Sequence, residues 1–203
     1  MTEDIPARYG GEPISEDVLG YGSQSITEAE KSAVLDALEG DYITRGPTVE
    51  EFEDRVADIV GVDHAVATTS GTTALHLTGR AAGFDEGDEV ITTPLTFVST
   101  AHAATYSGAT PVFADIDPHR RAIDPEAVRK QITEDTAGLI PMHYGGHPAN
   151  IDGLLDIADE HGLTVIWDAC HAFGGMWRGE PIGSQRDMAM FSFHPVKNIT
   201  TGE

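Results

Sequence analysis

The sequence predicts an α/β fold: a mainly parallel sheet with helices on both faces. Three observations carry that expectation. Short β-rich runs recur between residues 64 and 194, helix-length stretches separate most of them, and no repeat, low-complexity segment or internal linker breaks the alternation. Strands that alternate with helices build βαβ units, whose crossovers lay helices over both faces of a parallel sheet. At 203 residues and 40% hydrophobic content, the chain can fill one domain with a substantial core and is too apolar for disorder.

Each element has a local reason. Residues 1–26 form an N-terminal segment ahead of a domain set at 27–203. Its start, MTEDIPARYGGEP, is polar and acidic, without the positive n-region and apolar h-region of a signal peptide. Thr27-Glu28-Ala29-Glu30 is a capping box that opens a helix ending at Gly40, and Thr48-Val49-Glu50-Glu51 opens a second ending at Gly61. The expected strands are HAVAT (64–68), EVITT (89–93), TPVFADI (110–116), AGLIPMH (137–143), LTVIWD (163–168) and MAMFSFH (188–194). TTALHLTGRAAG, FVSTAHAATYSG, PEAVRKQIT and NIDGLLDIADEHG read as the helices between them. No apolar run approaches the roughly 18 residues a membrane span needs.

Charge and cysteine content narrow the setting. Asp plus Glu total 34 against 12 Lys plus Arg, a formal net charge of −22, and the acids are spread along the whole chain. Only Lys31, Lys130 and Lys197 are lysines. An acidic, lysine-poor surface over ordinary apolar content reads as adaptation to a salt-rich cytoplasm, where screening relieves self-repulsion. No basic stripe is available to neutralise phosphates, so nucleic acid is excluded as a partner. Cys170 is the only cysteine, which rules out an internal disulfide and fits a reducing compartment.

Chemistry in such a sheet collects at the carboxyl ends of the strands, and three features stand there. Thr69-Ser70-Gly71-Thr72-Thr73 lies between HAVAT and a helix. It reads equally as a plain helix cap and as a cup of hydroxyls and backbone N–H groups for an anion. Asp168 ends LTVIWD, as a structural cap or as a functional carboxylate. Lys197 follows the last strand in SFHPVK. Other motifs carry less. Gly20-Tyr21-Gly22-Ser23-Gln24-Ser25 imitates part of a dinucleotide fingerprint, but no strand precedes it. His143 and His147 are four apart, but Gly145 and Gly146 between them make a helix-borne metal pair improbable, so no metal site is expected. Cys170 reads as a small buried filler.

Together the anion cup, the carboxylate and the lysine match what pyridoxal 5'-phosphate requires, and Phe97, just past EVITT, supplies an aromatic face. The stretches RGPTVEEFE, GVDHAVATTSGTTALHL, DEVITTPLTFVSTAHAATYSGATPVFADIDP, DACHAFG and FSFHPVKNITTGE resemble, in order, the large domain of the pyridoxal-phosphate-dependent nucleotide-sugar aminotransferases of the DegT type. Within that family, YGSQSITEAEKSAVLDALEGDYITRGP and IPMHYGGHP are most similar to the transaminase of pseudaminic acid synthesis.

The resemblance implies a fold type I large domain and transfer of an amino group from an amino acid, glutamate for preference, to a UDP-linked 4-keto-6-deoxy sugar. It implies that Lys197 holds the cofactor covalently and moves the proton, and that Asp168 keeps the ring nitrogen protonated. His171 would hydrogen-bond near the ring's phenolic oxygen and Phe97 would stack on the ring. Gly71, Thr72, Thr73 and Ser192 would hold the phosphate. It also implies a homodimer in the full-length enzyme. Relatives continue past TTGE, so the expectation is an N-terminal portion whose sheet is incomplete and whose Lys197 sits in a free tail. By itself such a chain is expected to self-associate and to lack turnover, as a silent remnant or a half-enzyme needing a complementary chain.

The charge reading makes a direct prediction. Thermal melts from low to molar KCl should show the midpoint rising as screening relieves repulsion among the acids. A flat or falling midpoint would contradict the salt-adaptation reading.

Overall fold

A computed structural model describes residues 7–13, 15, 17 and 22–202. After a single 3-10 turn at Ala7–Tyr9, six α-helices follow among the described residues: α1 Glu28–Glu39, α2 Pro47–Val60, α3 Gly71–Ala81, α4 Val98–Ser107, α5 Pro125–Arg129 and α6 Ile151–His161. The strands are β1 Glu89–Thr92, β2 Thr110–Phe113, β3 Ile116–Asp117, β4 Ala122–Ile123, β5 Thr136–Ile140, β6 Thr164–Asp168, β7 Met176–Trp177, β8 Glu180–Pro181 and β9 Met188–Met190. A second 3-10 turn spans Tyr144–Gly146.

Five strands form one sheet in the order β2-β1-β5-β6-β9, and every pairing in it is parallel. The short pairs β3–β4 and β7–β8 are antiparallel hairpins beside it. Alternation within each strand sends apolar side chains to opposite faces. Val90, Ile140 and Ile166 join Leu75, Ala103 and Ala104 under α3 and α4. Ile91, Leu139, Val165 and Trp167 join Val128, Leu154 and Ile157 under α5 and α6. Both faces are therefore buried, as a parallel sheet requires. Two glycines set the spacing. A Cβ on Gly79 would stand 2.6 Å from the Ala103 carbonyl oxygen, so α3 and α4 pack closely only because it is absent. A Cβ on Gly138 would stand 2.5 Å from the Phe84 ring.

Most expected elements are present, with altered ends. Thr27 caps α1 with both halves of the capping box. The cap of α2 is displaced: Gly46 is the N-cap and Pro47 the first helical residue, so Thr48 lies inside the helix. Proline's fixed φ and missing N–H suit that first position. The expected strand 110–116 stops at Phe113, and Ile116 belongs to the β3–β4 hairpin. The helix at 125–133 is only Pro125–Arg129, and the strand at 188–194 only Met188–Met190.

One expected strand does not form. Residues 64–68 have no ladder partner among the described residues. They line one side of a cavity of about 1050 Å³ whose other side includes β9. A strand is defined by its neighbour, and across that gap there is none. The N-terminal boundary near residue 26 stays an expectation, and Gly20 and Tyr21 of the glycine-containing stretch lie outside the described residues. Gln24 is described, and its side-chain amide donates to the Pro195 carbonyl at 2.7 Å.

The two histidines of HYGGH part company. His147 is exposed. His143 is fully buried, stacked on Trp167 with centroids 5.2 Å apart, and its Nδ1 accepts from the Ala149 N–H at 3.1 Å. Burial pushes the imidazole down to about 4 from the usual 6.5. The folded state therefore refuses a proton that the unfolded chain accepts, so this stability is present above pH 6.5 and is lost as pH falls towards 4. At about 1.4 kcal/mol per pKa unit the loss is about 3 kcal/mol. Denaturant titrations should show wild-type stability falling more steeply across that window than His143→Asn, which starts lower. Parallel slopes would place the buried proton equilibrium elsewhere.

Candidate active site

The carboxyl ends of the strands and the start of α3 surround the 1050 Å³ cavity, which is lined among others by Gly71, Thr72, Phe97, Asp168, Ser192 and Lys197. Six of the expected residues thus share one space.

The expected anion cup lies at the first turn of α3. Ser70 is the N-cap, its hydroxyl accepting from the Thr73 N–H at 3.2 Å. A helix start leaves its first N–H groups without intrahelical acceptors and carries the positive end of the dipole. Thr72 Oγ1 and Ser99 Oγ, on α3 and α4, lie 2.6 Å apart. Ser192 closes the cup from the chain leaving β9. A Cβ on Gly71 would stand 3.3 Å from Met190 Sδ and 3.4 Å from Ser192 Cβ. Glycine is what lets the helix start come this near the end of β9.

Asp168 ends β6 with 1% of its surface exposed. Its Oδ2 accepts from the Thr100 hydroxyl at 2.6 Å, and its Oδ1 from the Cys170 N–H at 3.2 Å. Its backbone is clamped in both directions: its N–H donates to Pro141 at 2.9 Å, and its carbonyl accepts from the His143 N–H at 3.0 Å. A buried carboxylate needs such donors. They also fix its angle towards the cavity.

Lys197 is not in a free tail. Its N–H donates to the His194 carbonyl at 2.9 Å, closing a turn. Asn198 donates to Phe173 O at 2.9 Å, and the Thr200 hydroxyl and Thr201 N–H both donate to Phe193 O. With Gln24 on Pro195, the loop is held at every corner. Lys197 is half-buried, and its Nζ lies 3.7 Å from Cys170 Sγ. Cys170 is buried, as a filler should be, yet it also lines the cavity. Burial, reinforced by the Asp168 charge, raises its pKa, so it stands beside the lysine as a protonated thiol.

Two expected residues stand apart. Thr73 spends its hydroxyl on Thr69 and Ser70 and does not line the cavity. His171 lies outside the lining too, half-buried, with its ring edge against Tyr144 at 5.8 Å. Its Nδ1 accepts from the Gly145 N–H at 3.2 Å, which leaves the proton of the neutral ring on Nε2. Burial and then the Lys197 charge lower its pKa and favour that neutral form. Phe97 is the N-cap of α4 and 67% exposed, with its ring open to stacking. Sequence reasoning missed Ser99 and Thr100, because their partners lie 27 and 68 residues away.

Comparison with known proteins places the chain in a family. The family model for the DegT/DnrJ/EryC1/StrS aminotransferase family matches residues 24–203. The chain is 44% identical over 185 residues to the spore coat polysaccharide biosynthesis protein SpsC of Bacillus subtilis, covering 91% of this chain and 48% of that protein. The PLP form of the putative sugar aminotransferase Spr1654 from Streptococcus pneumoniae superposes with TM-score 0.88 at 32% identity, over 91% of this chain and 51% of that one. Helicobacter pylori PseC, an aminotransferase of pseudaminic acid biosynthesis, gives TM-score 0.84 at 33% identity, over 91% and 50%. The chain belongs to the DegT/DnrJ/EryC1/StrS aminotransferase family. It spans about half the length of the curated relatives it matches.

Proposed function

We propose that this member of the family takes part in pyridoxal-phosphate-dependent transamination, moving an amino group from an amino acid to a nucleotide-linked keto sugar. The observation that carries the reading is the shared cavity onto which Lys197, Asp168 and the first turn of α3 all open. The substrate class inferred is a UDP-linked 4-keto-6-deoxy sugar, and the donor glutamate. Support comes from relatives named for polysaccharide and pseudaminic acid synthesis.

The residues present fit the cofactor. The cradle at Gly71, which a Cβ would fill, sits beside Ser192 at a helix start and suits a phosphate. When bound, the cofactor supplies an electron sink for removal of a proton from the carbon that carries the amino group. Asp168 would meet the ring nitrogen, and the Thr100 hydroxyl and the Cys170 N–H fix the angle of that carboxylate. Lys197 Nζ would hold the cofactor through its aldehyde carbon and supply the base for the proton transfer. Neutral Cys170 beside it adds no competing negative charge. Phe97, exposed beside the cavity, would stack on the ring, and His171, which does not line the cavity, would have only its Nε2–H to offer the ring's oxygen.

A second reading is favoured by the open gap between residues 64–68 and β9. The chain would then load cofactor but turn over only when a complementary polypeptide supplies the missing wall.

Both readings require Lys197 to be the anchor. Borohydride reduction of the chain with pyridoxal phosphate, followed by peptide mapping, should place the phosphopyridoxyl group on Lys197. A label on Lys31 or Lys130 instead would sink the assignment. Asp168→Asn should keep most cofactor binding and slow the half-reaction with amino donor, read by single-turnover absorbance, on the order of 10²-fold or more. In a chain silent without its complement, that absorbance is read after the complement is added. Unchanged half-reaction rates would make Asp168 a purely structural cap.

A further inference from the structure

One helical turn, the start of α4, reaches the large cavity with three of its residues. Phe97, Ser99 and Thr100 line the cavity, while Val98 between them is exposed. The Thr100 N–H closes the turn by donating to the Phe97 carbonyl at 3.1 Å. Neighbouring residues on a helix point about 100° apart. Ser99 therefore meets α3 while Thr100 meets the end of β6.

The Ser99 side is fixed by close packing of two helices. Ser99, Ala103 and Ser107 recur at the spacing of one helix face on α4, and Thr72 and Gly79 do so on α3. A Cβ on Gly79 would stand 2.6 Å from the Ala103 carbonyl oxygen and 2.7 Å from Ser107 Oγ, so little room separates the two faces. Nearer the cavity the same seam brings Thr72 Oγ1 to 2.6 Å from Ser99 Oγ. Ser107 spends its proton on the Ala103 carbonyl at 2.9 Å. Ser99 has Thr72 alone as its hydroxyl's partner among the described residues. Two hydroxyls carry two protons, and their mutual bond uses one. The other is left for an acceptor in the cavity that both residues line. Thr72 belongs to the helix start itself, so an anion seated there takes its proton and leaves Ser99 as the donor behind it.

The Thr100 side is a directed chain of hydroxyls. Thr100 is fully buried, and its single proton has two acceptors in reach, Asp168 Oδ2 at 2.6 Å and the Phe97 carbonyl at 3.0 Å. Thr96 Oγ1 lies behind it, 2.6 Å from Thr100 Oγ1 and 2.9 Å from Met142 Sδ. A thioether is a weak acceptor, so Thr96 donates to Thr100, and Thr100 to the nearer acceptor, Asp168. A hydroxyl that accepts one bond donates the next more strongly.

We infer that the first turn of α4 sets the spacing between the two polar ends of the cofactor site. Ser99, acting through Thr72, is a positioning residue for the start of α3, and Thr100, backed by Thr96, is one for Asp168. The inference rests on the proposed function for the identity of the cofactor. The two side chains leave the backbone one peptide step apart, inside a closed helical turn. The anion site and the carboxylate, which belong to α3 and β6, are thereby tied to each other through a third element. An anion on the start of α3 draws in Thr72 and Ser99, and the next residue is then held against Asp168.

The test compares ligands that each lack one end. The full chain is titrated calorimetrically with pyridoxal 5'-phosphate, with pyridoxal, which has no phosphate, and with 1-deazapyridoxal 5'-phosphate, which has no ring nitrogen. Wild type should prefer pyridoxal 5'-phosphate to both. Ser99→Ala should cut the preference over pyridoxal about tenfold, and Thr100→Val should cut the preference over the deaza compound about tenfold. Thr100→Ser, which restores the hydroxyl, should recover most of the second preference. Thr105→Val, on the exposed side of the same helix, should change neither. Ratios taken within one variant cancel a general loss of stability, and near-ultraviolet circular dichroism checks that each variant is folded. In Ser99→Ala with Thr100→Val the loss of pyridoxal 5'-phosphate affinity should fall short of the product of the single losses, because each releases the same turn. An unchanged ratio in either single variant overturns the inference, and losses that multiply overturn the shared spacing. If the ratios stay flat while Lys197 still takes the phosphopyridoxyl label, the proposed function stands and this inference falls. If wild type shows no preference for the phosphate and Lys197 takes no label, both fall.

Discussion

A parallel sheet buried on both faces ends all its strands at one edge, and this constraint places everything else. Because β1, β5, β6 and β9 run the same way, their carboxyl ends deliver Phe97, the HYGGH turn, Asp168 and the Lys197 loop to one side of the molecule. The faces cannot host polar chemistry, since α3 and α4 cover one and α5 and α6 the other. Only the edge is left. The cost of burying Asp168 there is offset by donors already present in the architecture, one from α4 and one from its own chain two residues on. The carboxylate is thus oriented by two elements that the sheet itself positions.

Electrostatics set the second condition. A surface with formal charge −22 repels phosphates and carboxylates alike, and lysine is scarce. The structure meets this with a neutral device at the large cavity: a helix start, hydroxyls of Thr72, Ser99 and Ser192, and a glycine that admits close approach. Such a cup attracts an anion through oriented N–H groups, whose field is fixed and short-ranged and so survives high salt better than a distant charge. Of the three lysines, Lys31 is paired to Glu28 at 2.6 Å and Lys130 stands at the C-cap of α5, so Lys197 alone lies in the cavity.

Which parts were legible in the sequence follows from the range of the interactions. The alternation of strands with helices and the caps of α1 and α3 rest on patterns a few residues long, and they were readable. Gly71, Thr72, Phe97, Asp168 and Lys197 stand at or just past a strand end or a helix start, where the alternation draws attention to them, whereas Ser192 came only with the family resemblance. Residues 64–68 have a strand's composition but no ladder partner among the described residues, and β-propensity carries no information about a partner. Thr48 resembled a cap, but proline's preference for the first helical turn outranks a hydroxyl two residues after Gly46. Thr100 was invisible, since its role is set by a carboxylate on another element. The anchored Lys197 loop was likewise unreadable, because its bonds run to Phe173 and Phe193 and back from Gln24.

The last of these connects the two halves of the site. Phe191 and Phe193, on the way to Lys197, pack with Phe173, Val56, Val60 and Phe52, and ring centroids lie 5.1–5.2 Å apart in edge-on contacts. Val62 and Ala65, on the way to the anion cup, pack on the same cluster. Without a backbone ladder across the gap, residues 64–68 are tied down by this cluster and by the Ala67 N–H on Glu53 at 2.7 Å. One apolar cluster therefore clamps both chain segments that approach the cavity, one bringing the start of α3 and the other Lys197. Their spacing is fixed by packing of side chains, which is directional only through shape and falls away quickly when a ring is lost. Truncating Phe173 would loosen the lysine and the cup together, through one contact surface, although the two are more than a hundred residues apart in sequence.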